Sequence, residues 1–262
     1  YLYIYPLLDI WSPGEVWALV IGLSILLSVL PWLPTRHKQL PVAEVNLKDC
    51  SGCRLCVADC PYEAVVMRPR SDGMHFLEEA VVVADRCVSC GICVGACPSS
   101  NPFRSEAEYV SGIEMPSLPI SGLRSIMMND LVKLKGDVRI MVFGCDKAAN
   151  IEKLRSESVA VLSLPCIAML PPSFIEYALH ERRVDGVLIT GCRENDCYHR
   201  LGVLWMERRL AAEREPRLRS RAERGRIVQF WASSADFREL ALELESFRSS
   251  LHRLAESENV SK

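Results

Sequence analysis

The sequence predicts three kinds of structure in one chain: an N-terminal transmembrane helix, an α+β segment built around cysteine, and an α/β parallel-sheet domain. Three observations carry this. Residues 16–33 form an uncharged, almost wholly apolar run. Eight of the twelve cysteines fall in two copies of C-x2-C-x2-C-x3-C-P, offset cysteine by cysteine by 37 positions. Beyond Gly136, short apolar runs alternate with amphipathic stretches of helical length, the pattern of strands joined by crossover helices.

Eighteen apolar residues just suffice to span a bilayer core. Trp11, Trp17 and Trp32 bracket the run as an interfacial belt would, and Arg36, His37 and Lys38 follow it, which places its C-terminal side in the cytoplasm. A secretory signal has the opposite order, with charge first and a small-residue cleavage site last. A buried helix of a soluble domain is the alternative. The first ten residues are also apolar apart from Asp9, and the chain opens on Tyr1, so a processed precursor or a longer polypeptide is expected. The net charge of −2 gives no reason to expect nucleic acid. Metal-type cysteine spacings put the remainder in a reducing compartment.

The first cysteine run is Cys50, Cys53, Cys56 and Cys60 before Pro61; the second is Cys87, Cys90, Cys93 and Cys97 before Pro98. Short gaps let one loop wrap three thiolates around a cube face, while the cysteine before proline reaches the neighbouring cluster. One [4Fe-4S] cluster is therefore assigned to Cys50, Cys53, Cys56 and Cys97, and a second to Cys87, Cys90, Cys93 and Cys60. Paired zinc knuckles and a disulfide framework are the competing readings; neither requires a duplicated run with a trailing proline. This is the spacing of bacterial two-cluster ferredoxins. Residues 65–70 and 74–83 flank Ser71-Asp72-Gly73 and read as a hairpin inserted between the runs. Val45, Leu47, Val57, Ala64, Val65 and Val83 are expected to pack around the clusters. Residues 105–136 read as a connector with a helix over 121–135, and Met115, Met127 and Met128 read as core rather than docking surface.

In the last part, strands are expected at 138–143, 159–164, 186–190 and 226–231, with helices at 148–156, 172–183, 198–214 and 235–254, the last capped by Ser234. The other four cysteines fall at strand ends: Cys145, Cys166 and Cys192 follow the first three strands, and Cys197 opens a helix. Open α/β sheets bind ligands at the carboxyl ends of their strands, so these loops converge on one rim. Four thiols there suit a [2Fe-2S] cluster, a structural zinc, or simply buried free cysteine. His199 lacks the second histidine of a Rieske pair and is read as a hydrogen-bonding or surface group. Eight arginines against four acids over 207–226 read as a solvated face, with an acidic partner or anionic lipid as alternatives.

Phe143-Gly144-Cys145-Asp146, Leu164-Pro165-Cys166, Pro172-Ser173-Phe174-Ile175, Asp185-Gly186-Val187-Leu188-Ile189-Thr190-Gly191-Cys192 and Asp196-Cys197-Tyr198 resemble, in order and spacing, the delta subunit of methyl-viologen-reducing hydrogenase. That resemblance covers roughly 138–257. It implies a [2Fe-2S] cluster on Cys145, Cys166, Cys192 and Cys197, in a domain that passes electrons to the flavin-bearing subunit of heterodisulfide reductase. Tyr1-Leu-Tyr-Ile-Tyr-Pro-Leu-Leu and residues 22–33 resemble the C-terminal part of a cytochrome b-type membrane subunit. The haem-ligating histidines of that family are absent, so haem and quinone would belong to an associated membrane module and not be ligated here.

The expected organisation is a membrane segment over 1–38, a ferredoxin-like two-[4Fe-4S] domain over 39–104, the connector over 105–136, and a flavodoxin- or Rossmann-like α/β domain with [2Fe-2S] over 137–262. With no hydrolytic triad, phosphate loop or catalytic carboxylate pair, the chemistry read is one-electron relay. The expected role is an iron-sulfur subunit of a membrane redox complex, at the cytoplasmic membrane with its clusters on the cytoplasmic side. Its expected partners are a cytochrome b-type subunit, the lipid bilayer and a flavoprotein resembling the heterodisulfide reductase flavin subunit. A soluble-type hydrogenase relay that is only anchored, and a zinc-bearing scaffold, are the alternatives.

Overall fold

The computed structural model describes residues 12–32, 41–103, 110–180, 183–219 and 223–260. It forms two compact units, Tyr1–Gln39 and Leu40–Lys262. In the first, helix α1 spans Pro13–Val29, followed by a 3-10 turn over Leu30–Trp32. Proline at its first position leaves no donor unsatisfied, and the Glu15 carboxylate accepts the Ser12 N–H at 2.8 Å. Ser24 and Ser28 turn their hydroxyls back onto Val20 and Ser24 carbonyls, hiding those polar groups within the helix. The result is a helix apolar on every side and buried on none; Gly14–Trp32, with mean hydropathy 1.9, is the one helix among the described residues long and apolar enough to cross a membrane. Arg36, His37, Lys38 and Tyr1 to Leu8 lie outside the described residues.

The second unit begins with strand β1 (Glu44–Val45), helix α2 (Leu55–Asp59), strands β2 (Val65–Pro69) and β3 (Glu78–Val82), helix α3 (Ile92–Ala96) and strand β4 (Ile113–Glu114). β2 and β3 pair antiparallel, as do β1 and β4. The 37-residue repeat reaches the backbone: a 3-10 turn precedes each run, at Leu47–Asp49 and Ala84–Arg86, and α2 and α3 sit at matching places. Left-handed backbone recurs as well, at Gly52 and Arg54 in one copy and at Ser89 and Gly91 in the other. These turns coil the chain tightly enough for three closely spaced cysteines to face one point. Ile113–Glu114 lies in the stretch read as connector; its pairing with Glu44–Val45 closes the cysteine-bearing half past residue 104.

Helix α4 (Ile120–Lys133) follows, burying Leu123, Met127 and Leu131 and leaving Ile126 exposed. The α/β half then runs β5 (Ile140–Cys145), β6 (Val159–Leu164), α5 (Pro172–Leu179), β7 (Gly186–Gly191), α6 (Gly202–Leu210), β8 (Ile227–Trp231) and α7 (Phe237–Val260). The four strands are parallel in the order β6-β5-β7-β8. Side chains alternate across the sheet. Ile140, Val142 and Leu188 pack with Leu240, Leu244, Phe247 and Leu251 of α7, while Met141, Phe143 and Ile189 pack with Met127 of α4 and Phe174 of α5. Full burial of such a side chain is worth about 1.5–3 kcal/mol, so these two faces hold the sheet.

Four local expectations need correction. The helix read over 148–156 is only a 3-10 turn at Ile151–Leu154, because the Asn150 side chain takes the Glu152 N–H and turns the chain early. The helix read from Tyr198 begins at Gly202; Asn195 and Arg200 adopt positive φ and hold Cys197 in a turn instead. The terminal helix is capped at Ser233, not Ser234, with Ser233 and Asp236 bonding reciprocally ahead of Phe237. The arginines of 207–226 are only partly a solvated face: Arg208 and Arg217 are exposed, whereas Arg209 and Arg214 bind Asp59, Arg219 binds Glu176, and Arg224 and Arg226 donate to the carbonyls of Leu210 and Asp185.

Candidate metal centres

The twelve cysteines are all unpaired as disulfides and gather in three places. Cys50, Cys53, Cys56 and Cys97 wall one cavity together with Met67, Ala80 and Ile113. Cys60, Cys87, Cys90 and Cys93 wall a second, with Ala64, Val65, Val82 and Met115. Each encloses about 340 Å³ of atom-free space, part of it open to solvent. The cysteine before each proline therefore stands with the other run's three. Ala64 and Val65 line the second cavity, and Val45 and Val57 pack on the surrounding core; Leu47 and Val83 instead flank the cysteine loops at 3-10 turns. Met115 is core, as is Met127, and Met115 also faces the second cavity.

Burial, with Cys97, Cys53 and Cys50 close by, pushes the Cys56 thiol up to about 12. Burial likewise lifts Cys90 to about 11, against the Ile92 N–H that favours its thiolate, and lifts Cys93 well above the ordinary thiol range. Four thiols facing one space, two of them buried in each cavity, cannot all ionise unless something cationic stands among them. Thiolate is the metal-binding form, so the donor chemistry fits a cationic iron-sulfur core held by sulfur. Polar groups already meet these sulfurs: the Ala64 backbone N–H donates to Cys60 Sγ at 3.3 Å, and the Ser99 side-chain hydroxyl lies 3.0 Å from Cys97 Sγ. Such bonds stabilise thiolate and tune the potential of whatever it holds. Arg70, from the hairpin, donates to the main-chain oxygens of Leu47 and, at 2.6 Å, Cys50, tying the first cysteine loop down beside a fixed positive charge.

The third group lies at the carboxyl edge of the parallel sheet. Cys145 ends β5 and Cys192 follows β7, flanking the point where strand order reverses, and Cys166 follows β6. Cys197 joins them from the turn before α6. These thiols bias one another: the neighbouring cysteine sulfurs and burial hold Cys166 and Cys192 above the ordinary thiol range, and the neighbouring sulfurs hold Cys145 and Cys197 below it. Cys145 Sγ also lies 3.5 Å from the Pro165 carbonyl oxygen and accepts the Lys147 N–H at 3.4 Å. Cys197 is also favoured as thiolate by the N–H groups of Val203 and His199. Gly202 is the residue that makes this approach sterically feasible, since a Cβ there would sit 2.3 Å from Cys166 Sγ and 3.3 Å from Cys197 Sγ. His199 is buried beside the group, its Nδ1 3.2 Å from the Tyr62 hydroxyl. Among the described residues, no three His, Cys, Asp or Glu side chains close around a single metal-ion position.

The second cavity and the third group are neighbours. Cys90, Ile92, Cys166, Ala168 and Trp205 share one buried cluster. Next to Cys60, the buried Asp59 carboxylate receives Arg209 at 2.5 Å and Arg214 at 2.6 Å, and Trp205 donates to its main-chain oxygen at 3.0 Å. Asp59, Trp205, Arg209, Arg214, Gly91, Gly95 and Gly202 were not singled out by the sequence pattern. The one signal available was the density of arginine over 207–226, with no sequence neighbour to name its acid.

Comparison with protein families agrees with this division. Residues 49–101 match the 4Fe-4S dicluster domain, and residues 139–255 match the methyl-viologen-reducing hydrogenase delta subunit. The chain thus carries a 4Fe-4S dicluster ferredoxin domain and a delta-subunit domain, and iron-sulfur electron transfer fits both.

Proposed function

We propose that this chain is a three-centre electron relay, with [4Fe-4S] clusters in the two cysteine cavities and a [2Fe-2S] cluster on Cys145, Cys166, Cys192 and Cys197. The observation that carries the reading is the gathering of all twelve cysteines into three sets of four, with the second and third sets packed against one another. When bound, the clusters supply reversible one-electron chemistry without making or breaking bonds in a substrate. The cysteines hold them, the N–H groups of Ala64 and Lys147 bond the sulfurs of Cys60 and Cys145, and apolar walls such as Met67, Ile113 and Met115 exclude water. Cys53 is exposed at one end of this series, and Tyr198 at the other, beside the half-buried Cys197. These ends are the entry and exit for electrons from outside partners.

The membrane reading belongs to the same proposal. A helix whose one charge, Glu15, sits in its first turn, with no buried face and Trp32 87% exposed at its end, is supported by its chemistry as a bilayer anchor. The partner in the membrane would be a cytochrome b-type subunit carrying haem and a quinone site, the soluble partner a flavoprotein, and the location the cytoplasmic membrane. Iron and acid-labile sulfide on the anaerobically purified full chain, with redox-titrated EPR, test the relay: about ten of each and three distinct reducible signals are expected. Eight of each with one zinc would replace the third cluster by a structural metal. Alkaline carbonate extraction should leave the chain in the membrane pellet, and its release into the supernatant would remove the anchor. Haem and quinone-analogue binding in the intact complex tests the membrane partner, and their absence would reduce it to an anchored relay.

A further inference from the structure

Two glycines on α3 bring its backbone against the loop behind Cys166. A Cβ at Gly95 would lie 2.0 Å from the Ala168 carbonyl oxygen and 2.8 Å from Arg209 Nη1; one at Gly91, where φ is +75°, would lie 2.5 Å from the Met169 sulfur. At Gly95 the obstacle is backbone, so a side chain there would pry the two halves apart; at Gly91 it would have to push the Met169 side chain aside from a left-handed backbone position. From the other side, one guanidinium spans the gap: Arg209 donates to the Asp59 carboxylate at 2.5 Å and to the Ala168 carbonyl at 2.6 Å. It thereby ties the residue before Cys60 to the residue two past Cys166. Arg200 and His199 add contacts to Pro61 and Tyr62, the next residues along.

A wholly buried ion pair is a poor source of net stability, because the desolvation of both charges offsets most of their attraction. What it does well is hold one geometry, since neither partner tolerates being left alone in the interior. The bonds here are not spread over the interface. They run from the turn of Cys197, from α6 and from Arg214 just past it to residues 58–62 around Cys60, and Arg209 carries the tie on to Ala168 behind Cys166.

We infer that the Asp59–Arg209 clamp and the Gly91/Gly95 contact are the positioning device of an internal one-electron junction between the Cys60, Cys87, Cys90, Cys93 site and the Cys145, Cys166, Cys192, Cys197 site. This rests on the relay proposed above. At the junction one site loses a single electron as the other gains it; no bond forms, no proton moves, and no outside reactant enters. The order along the chain follows: the Cys50, Cys53, Cys56, Cys97 site stands outermost and the duplicated site beside it is the internal link.

The test is the magnetic interaction between these two centres, read by low-temperature EPR of the fully reduced, cluster-loaded full chain. Gly95→Ala wedges the contact, and Arg209→Lys keeps the charge but lacks the fork that reaches Asp59 and Ala168 together. Both are expected to retain wild-type iron and sulfide and each centre's own spectrum, while losing the splitting or relaxation enhancement between them. Gly186→Ala is the control: its Cβ would meet Leu251 at 2.5 Å and Phe247 at 2.7 Å, so it should lower the melting temperature and leave the interaction intact. The inference is overturned if the interaction survives in both junction variants, if Gly186→Ala abolishes it equally, or if the junction variants lose iron. Should Gly95→Ala not fold, Arg209→Lys and Trp205→Phe decide by the same reading. A wild-type chain with full iron and sulfide but no interaction sinks the junction alone, whereas one without iron sinks the relay itself.

Discussion

The two copies of the cysteine run share spacing, preceding turn, left-handed residues and helix, yet they live in different surroundings. Cys53 is exposed, with Arg54 and Glu78 paired at the surface beside it; Cys90, its counterpart, is buried against Cys166 and Trp205. Arg70 reaches over the first loop, whereas the second helix lies directly on the α/β half through Gly91 and Gly95. The Asp59 carboxylate that locks the halves together has no equivalent in the second copy, where Ala96 stands in its place. Duplication supplies equal donor sets; what packs against each set leaves one facing outward and lays the other on the α/β half.

The strongest way to break that contrast is Cys90→Ser against Cys53→Ser. Cluster binding is folding free energy for the segment that holds it. Cys90→Ser is expected to cost the second cluster, loosen the junction and depress the third signal, whereas Cys53→Ser should remove one cluster's iron and leave the other two spectra unchanged. Iron, sulfide and EPR measured in parallel decide it; equal damage from both would show the copies to be equivalent. Next in size, Cys60→Ser should perturb the centre held with Cys87, Cys90 and Cys93, although Cys60 belongs to the first run. Loss confined to the signal of Cys50, Cys53 and Cys56 would reverse the pairing across the runs.

Gly202→Ala sharpens the third member of the comparison. The added methyl would displace the sulfurs of Cys166 and Cys197, so the chain should keep both ferredoxin-type centres and lack the third; unchanged ultraviolet-visible and EPR spectra would refute it. Arg70→Met removes a positive charge from the first loop only. The reduced, more negative state there should be less favoured, moving the midpoint potential of the first centre downward while the second stays in place, and a redox titration in which both move would dissolve the asymmetry. Smallest is Arg54→Gln, which breaks the surface pair with Glu78; chemical denaturation should register less than about 1 kcal/mol.

Much of this was legible beforehand because it depends on local spacing. The four strands, their cysteine-bearing ends and the inserted hairpin followed from hydrophobic period and from turn residues such as Ser71-Asp72-Gly73. The misread elements all turn on competition between backbone and side chain: Asn150 stealing an N–H, Arg200 adopting positive φ, Ser233 capping one residue early. The arginine-rich stretch was misjudged for another reason. Arg209 and Arg214 looked solvated because the acid that takes them inward, Asp59, lies 150 positions away in sequence from Arg209.

By itself, then, the sequence determined the kinds of site: runs of thiols at cube-wrapping intervals, single thiols at strand ends, and an apolar helix of bilayer length. These rest on interactions between near neighbours, which spacing records. Only the tertiary structure decided their order, because which copy is buried depends on long-range packing. Two glycines with no room for a methyl, and one buried carboxylate taken by distant guanidinium groups, set the second cysteine set beside the third and leave the first facing outward.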